Sequence, residues 1–270
     1  MIESKYVKVG GINTHYLVGG DGSPVILVHG AGAGVFDWKF TVGPLSQHHR
    51  VYAPDMVGFG CSDKPKTNYT VDYCVDFLER FMDAMQVDRA NLVGACSGGS
   101  ITIGLTLRSP QRIDKLVLAG SSSLGKNVLG GMLYSLPSFL FLFLMKPRRS
   151  IVRLAYETGT HNHAWITGAL IEEAYELQNM PGATYARVSI YKNFASFRGQ
   201  RIFFPDKLPL ITAPTLIIWG DKDTMFSITH AENAHRLIKN SQLSILEGCG
   251  HILSLEMPDR FNQLVLDFLK

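Results

Sequence analysis

An α/β class, with a mostly parallel sheet covered by helices on both faces, is predicted by three features of this 270-residue chain. Short, wholly apolar runs such as Val25-Ile26-Leu27-Val28 and Leu116-Val117-Leu118-Ala119 suit strands buried on both faces. Stretches of helical period separate those runs. Finally, Gly94-x-Cys96-x-Gly98 joins an apolar run to a helical one through a sharp turn, with glycines placed so that strand and helix can approach closely.

Taken in order, Val7-Lys8-Val9 and Asn13 to Leu17 flank Gly10-Gly11 and read as a β-hairpin at the sheet edge. Val25 to Val28 is the first buried strand, and it runs into the glycine-rich loop His29 to Gly34. Helical material is expected to about Leu45, then a strand from Val51 to Asp55 and a loop over Gly58 to Asp63. Thr70 is placed to cap a helix from Val71 to about Met85, with Phe77, Phe81 and Met85 on one face. Ala90 to Val93 is the strand before the Cys96 turn, a helix follows from Ser97, and Leu116 to Ala119 is the next strand. Alternation resumes at Ala213 to Gly220, with a helix near Ser227 to Ile238, a strand from Gln242 to Leu246 and a terminal helix from Glu256 to Leu269.

Residues 122–205 interrupt the pattern, being helix-like without a clear buried strand. The expected organisation is therefore a core of residues 1–121 and 206–270 with 122–205 inserted as a helical cap. Leu133 to Met145 is strongly apolar, but Pro137 interrupts it and it is shorter than the roughly 20 residues that span a bilayer. It is expected to pack on the core and line an apolar pocket, ahead of a self-association surface or, least expected, peripheral membrane contact.

A net charge of +3, with 46% hydrophobic and 18% charged residues, describes an ordinary globular chain without the basic stripe of a nucleic-acid binder. The first residues lack the charged and apolar regions of a secretion signal, so a cytoplasmic location is expected. Four scattered cysteines form neither a disulfide framework nor a metal-ligand pattern, and His161 and His163 lack a third ligand. Gly58-x-Gly60 lacks the further glycine and acidic residue of a dinucleotide site. No metal and no cofactor is expected.

The turn at Cys96 has the spacing of a nucleophile elbow with cysteine in the central place. Around it stand His29-Gly30-Ala31-Gly32, Asp55-x-x-Gly58-x-Gly60-x-Ser62, Gly220-Asp221-Lys222-Asp223 and Gly250-His251. Together these motifs resemble the α/β-hydrolase superfamily over nearly the whole chain apart from the cap. The spelling is similar to capped esterases and meta-cleavage-product hydrolases, with a cysteine nucleophile as in dienelactone hydrolases. The resemblance implies an α/β-hydrolase fold with an eight-stranded, mostly parallel sheet and an inserted cap.

It also implies a triad in the order nucleophile, acid, histidine: Cys96, Asp223 and His251, with Asp221 the competing acid. A thiol at a helix N-terminus beside an imidazolium can attack as a thiolate, making a thioester. The oxyanion hole is expected from the backbone N–H groups of Ala31 and Ser97, with Gly32 in reserve, and His29 is expected to tie loops together. Tyr134, Phe139, Phe143, Trp165 and Tyr191 are the expected substrate-binding side chains of the cap. Ala95 and Ile252 depart from the asparagine and aromatic residue that carbon–carbon hydrolases carry there, which directs the expectation to an ester, lactone or thioester of a small apolar molecule. An acyltransferase or polyketide-type cyclase, or a small-molecule receptor with little turnover, is the alternative on the same scaffold, and a homo-oligomer is compatible with either.

Overall fold

The computed structural model describes residues 1–32, 34–128 and 133–270. Strands β1 (Ile2–Val9) and β2 (Ile12–Gly19) form an antiparallel hairpin closed at Val9 and Ile12, with Gly10 and Gly11 both at positive φ in the turn. Then come β3 (Pro24–Val28), a one-turn α1 (Val42–Leu45), β4 (Arg50–Pro54), α2 (Val71–Ala84), β5 (Ala90–Ala95), α3 (Ser97–Arg108) and β6 (Ile113–Ala119). Helices α4 (Ser138–Leu144), α5 (Arg149–Gly159), α6 (Gly168–Gln178) and α7 (Ala183–Phe194) lie between β6 and the small hairpin β7 (Ala195–Ser196) and β8 (Gly199–Gln200). The chain ends with β9 (Thr215–Gly220), α8 (Ile228–Leu237), β10 (Ser241–Leu246), α9 (Leu253–Glu256) and α10 (Pro258–Leu269).

Eight strands form one sheet in the order β1-β2-β4-β3-β5-β6-β9-β10. β1, β2 and β4 pair antiparallel, and every other neighbour is parallel. This is the predicted α/β-hydrolase architecture. Alternate residues of a strand face opposite ways, so Ile26 and Val28 enter one core layer while Val25 and Leu27 enter the other. The first layer is packed by α2, through Leu78, Phe81 and Met82, and by α3. The second is packed by α10, through Phe261 and Val265, and by Trp38, which stacks on Phe261. The helices after β6 have a small apolar cluster of their own, in which Val152, Tyr156, Leu170 and Ile171 meet Phe36 and Leu255 of the sheet half.

Three differences from the sequence reading have local causes. Instead of a helix to Leu45 there is a 3-10 turn, Gly34–Trp38, and then a single α turn containing Gly43 and Pro44. The terminal helix divides at Met257, because Pro258 has no N–H to continue α9 and restricts the residue before it. The hairpin β7–β8 is too short to leave a periodic signal. Among the described residues no helix is long and apolar enough to cross a membrane.

A close backbone contact lies where α3 begins. A Cβ on Gly98 would stand 2.1 Å from the Val28 carbonyl oxygen, and one on Gly94 would stand 2.5 Å from Thr102 Oγ1. Both neighbours belong to the core, so nothing can give way cheaply. Gly98→Ala is therefore expected to lower unfolding stability by about 3 kcal/mol, measured by denaturant titration, whereas a Gly168→Ala control with nothing near its Cβ changes it little.

Candidate active site

Cys96 caps α3 with φ 51° and ψ −119°, a left-handed backbone that a cysteine adopts at a cost of about 1–3 kcal/mol. The turn is pinned from β6 and the loop after it: Cys96 N–H donates to the Ala119 carbonyl at 3.1 Å, and Ser122 donates to the Cys96 carbonyl from both its amide and its hydroxyl. Ser100 Oγ in turn bonds Ser122 and Ser123. The result is a half-buried sulfur at the N-terminus of a helix, aimed at the loop after β3. Gly30 is so close that a Cβ there would lie 2.9 Å from Cys96 Cβ.

His251 comes from the loop after β10. Its amide donates to the Gly159 carbonyl at 2.6 Å, which ties it to the end of α5. Its Nδ1 lies 2.9 Å from Asp223 Oδ2, and the other carboxylate oxygen accepts the amides of Met225 and Phe226 at 2.8 and 3.0 Å. Asp223 is thereby locked in one orientation with no exposed side-chain surface. Phe226 sets its ring edgewise against His251, centroids 5.2 Å apart. Nε2 of His251 is buried and accepts or donates no hydrogen bond among the described residues. Burial opposes a charge on this imidazole, but the Asp223 carboxylate and the adjoining Cys96 sulfur outweigh it and hold its pKa well above the ordinary histidine value. Asp221 is used elsewhere, accepting from Gly248 N–H at 2.6 Å and pairing with Lys222.

Glu256 braces the histidine loop. One carboxylate oxygen accepts the amides of His161 and Asn162, and the other accepts Gly250 N–H at 2.8 Å, so a single buried side chain joins the end of α5 to the residue before His251. His29 is likewise structural in geometry: its Nδ1 faces the Gly30 carbonyl at 2.6 Å and its Nε2 accepts Met56 N–H at 2.9 Å. The Ser97 amide follows Cys96 at the start of α3, and among the described residues neither it nor the Ala31 amide donates to a backbone carbonyl.

The aromatic side chains expected around the substrate divide into three groups. Tyr134 and Tyr191 lie together, ring centroids 5.7 Å apart, close enough to Cys96 for its charge to raise both phenols beyond the effect of burial, Tyr191 to about 12. Tyr191 Oη also donates to the Ala31 carbonyl at 3.3 Å, bracing the loop beside the sulfur. Trp165 instead packs edgewise on Tyr156 in the cluster of α5 and α6. Phe139 and Phe143 are a correction: they are 76% and 65% exposed, because the inward face of α4 is taken by Phe141 between them. Of the other thiols, Cys74 is buried and its pKa is pushed up to about 12, and buried Cys249 is raised further.

Residues 23–258 match the family described as alpha/beta hydrolase fold. The chain is 31% identical to the 2-hydroxy-6-oxo-2,4-heptadienoate hydrolase of Pseudomonas putida, over 98% of this chain and 95% of that one. It is 30% identical to the 2-hydroxy-6-oxo-6-(2'-aminophenyl)hexa-2,4-dienoic acid hydrolase of Metapseudomonas resinovorans, covering 98% and 90%. A solved meta-cleavage product hydrolase from Pseudomonas fluorescens superposes with a TM-score of 0.86 at 30% identity, covering 98% and 97% of the two chains. The chain belongs to the α/β-hydrolase family, in its meta-cleavage-product-hydrolase-like branch. A further structural neighbour of this α/β-hydrolase, at 28% identity and TM-score 0.86 over 100% and 99%, is described as a serine hydrolase involved in carbazole degradation.

Sequence reasoning missed two charged residues of this hydrolase. Arg187 on α7 is 4% exposed, donates to Gln178 Oε1 and the Met145 carbonyl, and keeps a buried Nε without a partner among the described residues. It has no carboxylate partner there, and it lies one helical turn before Tyr191. Asp37 follows the glycine-rich loop, both its carboxylate oxygens 3.4 Å from the place a Gly32 Cβ would occupy. It makes no ion pair among the described residues. Burial, then the nearby Asp55 charge, push its pKa up to about 7 against the pull of the Gly30 amide and His251. The available signal was a lone charge amid apolar neighbours, Phe36-Asp37-Trp38 and Ala186-Arg187-Val188.

A carboxyl whose pKa rises from 3.8 to about 7 on folding binds its proton more tightly in the folded state, so stability falls as pH climbs between those values and is level above them. Asp37→Asn removes that titration. Its stability relative to the parent is expected to rise by about 4 kcal/mol between roughly pH 4 and pH 7.5 in denaturant melts, then stay constant; a difference that does not vary with pH would refute the assignment.

Proposed function

We propose that this α/β-hydrolase releases an acyl group from a carboxylate-bearing chain of the 2-hydroxy-6-oxo-dienoate kind for which its relatives are named, with Cys96 as nucleophile. The observation that carries the reading is the half-buried Cys96 thiol at a strained elbow beside a buried imidazole whose far nitrogen is held by Asp223. The imidazole's raised pKa favours an imidazolium at neutral pH, the partner a thiolate needs.

In this reaction the sulfur forms a bond to the keto carbon, and the carbonyl electron pair moves to oxygen, where the Ala31 and Ser97 amides receive it. Collapse reforms the carbonyl and breaks the bond to the neighbouring carbon. Because the 2-hydroxydienoate first tautomerises to its 2-oxo form, moving the enol proton to the carbon beside the 6-oxo group, the released pair is conjugated with the 2-oxo acid, and that carbon takes its proton from His251. Water, losing a proton to the now neutral His251, then hydrolyses the thioester and restores the thiol. Arg187 supports the choice of an acidic substrate, since a desolvated guanidinium with a free N–H gains most from a carboxylate. Helices α4 to α7 act as the cap, with Tyr134 and Tyr191 against the acyl end.

A second reading, cleavage of an ester, lactone or thioester, is favoured by the sulfur itself and by Ala95 and Ile252 beside the two reacting residues. Both readings use the same three side chains.

Cys96→Ala is expected to lower kcat/KM by at least about 10³-fold on a keto-dienoate and on an aryl ester alike, and mass spectrometry should find iodoacetamide on Cys96 ahead of Cys74 and Cys249. Equal rates for parent and variant on both substrates would sink the nucleophile. Arg187→Gln separates the two readings: KM for the carboxylate-bearing substrate should rise about 10- to 100-fold while a neutral ester changes by less than about threefold.

A further inference from the structure

Helix α4 has two faces of different character. Phe141 points inward and is 1% exposed, its ring 6.0 Å from Tyr134 and 6.4 Å from Tyr191, the two tyrosines beside the sulfur. Phe139 and Phe143, one turn apart and opposite to Phe141, face solvent, and Leu144 follows them. Ile151 and Leu154 on α5 are exposed as well. Exposed phenylalanines in such a group are unusual on a surface that meets only water.

Charge says what covers them. Residues 138–156 carry Lys146, Arg148, Arg149 and Arg153 and no carboxylate. Arg149 pairs with Glu172 and Arg153 with Glu157, while Lys146 and Arg148 make no ion pair among the described residues. A second copy of this chain docked through the same patch would set these cations against their own counterparts, since a two-fold contact matches each surface with itself. An anionic lipid surface satisfies both features: it takes phenyl and leucyl side chains below the headgroups and pairs the lysine and arginines with lipid phosphates.

We propose that the outer face of α4 and the start of α5 form a peripheral docking surface for an anionic bilayer, with Phe139, Phe143 and Leu144 inserted and Lys146 and Arg148 on the headgroups. The opposite face of the same helix packs through Phe141 on Tyr134 and Tyr191, so docking would hold the bilayer against the helix that covers these two tyrosines. The surface stands on exposure and charge and is independent of the chemistry assigned to Cys96.

The test is co-sedimentation of the full chain with sucrose-loaded vesicles of phosphatidylcholine, with and without 30 mol% (roughly) phosphatidylglycerol. The parent is expected to pellet with the anionic vesicles at low salt and at least about tenfold less with neutral ones, from about fivefold per basic side chain. Phe139→Ser with Phe143→Ser should lower the partition coefficient at least about tenfold, and Lys146→Glu with Arg148→Glu by a similar factor, with melting temperatures unchanged. Leu210→Ser, an exposed apolar residue elsewhere, should keep binding. The proposal is overturned if the parent does not bind anionic vesicles, or if the double phenylalanine variant binds as well as the parent. It is equally overturned if light scattering shows a dimer that the double variant abolishes, which would make a second copy the occupant.

Discussion

The contact on which the site depends is the approach of the α3 N-terminus to the end of β3. With no Cβ at Gly98, the first turn of α3 lies against the Val28 and His29 carbonyls, and this brings the Cys96 sulfur to Gly30. The same closeness sets the start of α3 beside Gly30, just after the end of β3. Any side chain at Gly98 would drive helix and strand apart. A strained φ at Cys96 is tolerable because hydrogen bonds from Ser122 and to Ala119 fix the residue from the far side.

The second requirement is that the imidazole be held by something other than the nucleophile. Asp223 accepts two backbone amides, so its direction is set before it meets His251. Glu256 performs a related task on the other flank, binding amides at residues 161, 162 and 250 and so linking the end of α5 to the histidine loop. A displacement of the helices after β6 is thereby coupled to the position of the imidazole.

The core was legible because its signals are local and repeated. Wholly apolar strands, the glycine pair about Cys96 and the Gly220 to Asp223 turn each describe a short stretch of backbone. The choice of Asp223 over Asp221 was legible only through resemblance, since either aspartate makes good turn chemistry; hydrogen bonds to Met225 and Phe226 decide the geometry. The inserted helices were legible as helices but not as faces. Phe139 and Phe143 share a period with Leu140 and Leu144 in a segment apolar all round, and nothing in such a segment says that Phe141 is the residue turned inward. Arg187 and Asp37 were missed for the opposite reason: a single charge in an apolar stretch carries no period, and its meaning comes from partners brought together by tertiary structure.

Those two charges share a physical logic with the nucleophile. Each is a polar group kept in a poorly hydrated place without the partner that would ordinarily compensate it. Among the described residues, Arg187 retains a buried N–H without a partner, Asp37 responds by holding its proton to about pH 7, and His251 leaves Nε2 unpaired. A fold selected for stability alone would satisfy or remove such groups, because each unsatisfied buried partner costs about 1–3 kcal/mol. A bound substrate able to complete those hydrogen bonds would remove that cost. In the proposed reaction an acid with a carbonyl carbon at some distance from its carboxylate would supply both, a carboxylate for the guanidinium and a carbonyl oxygen for the backbone amides.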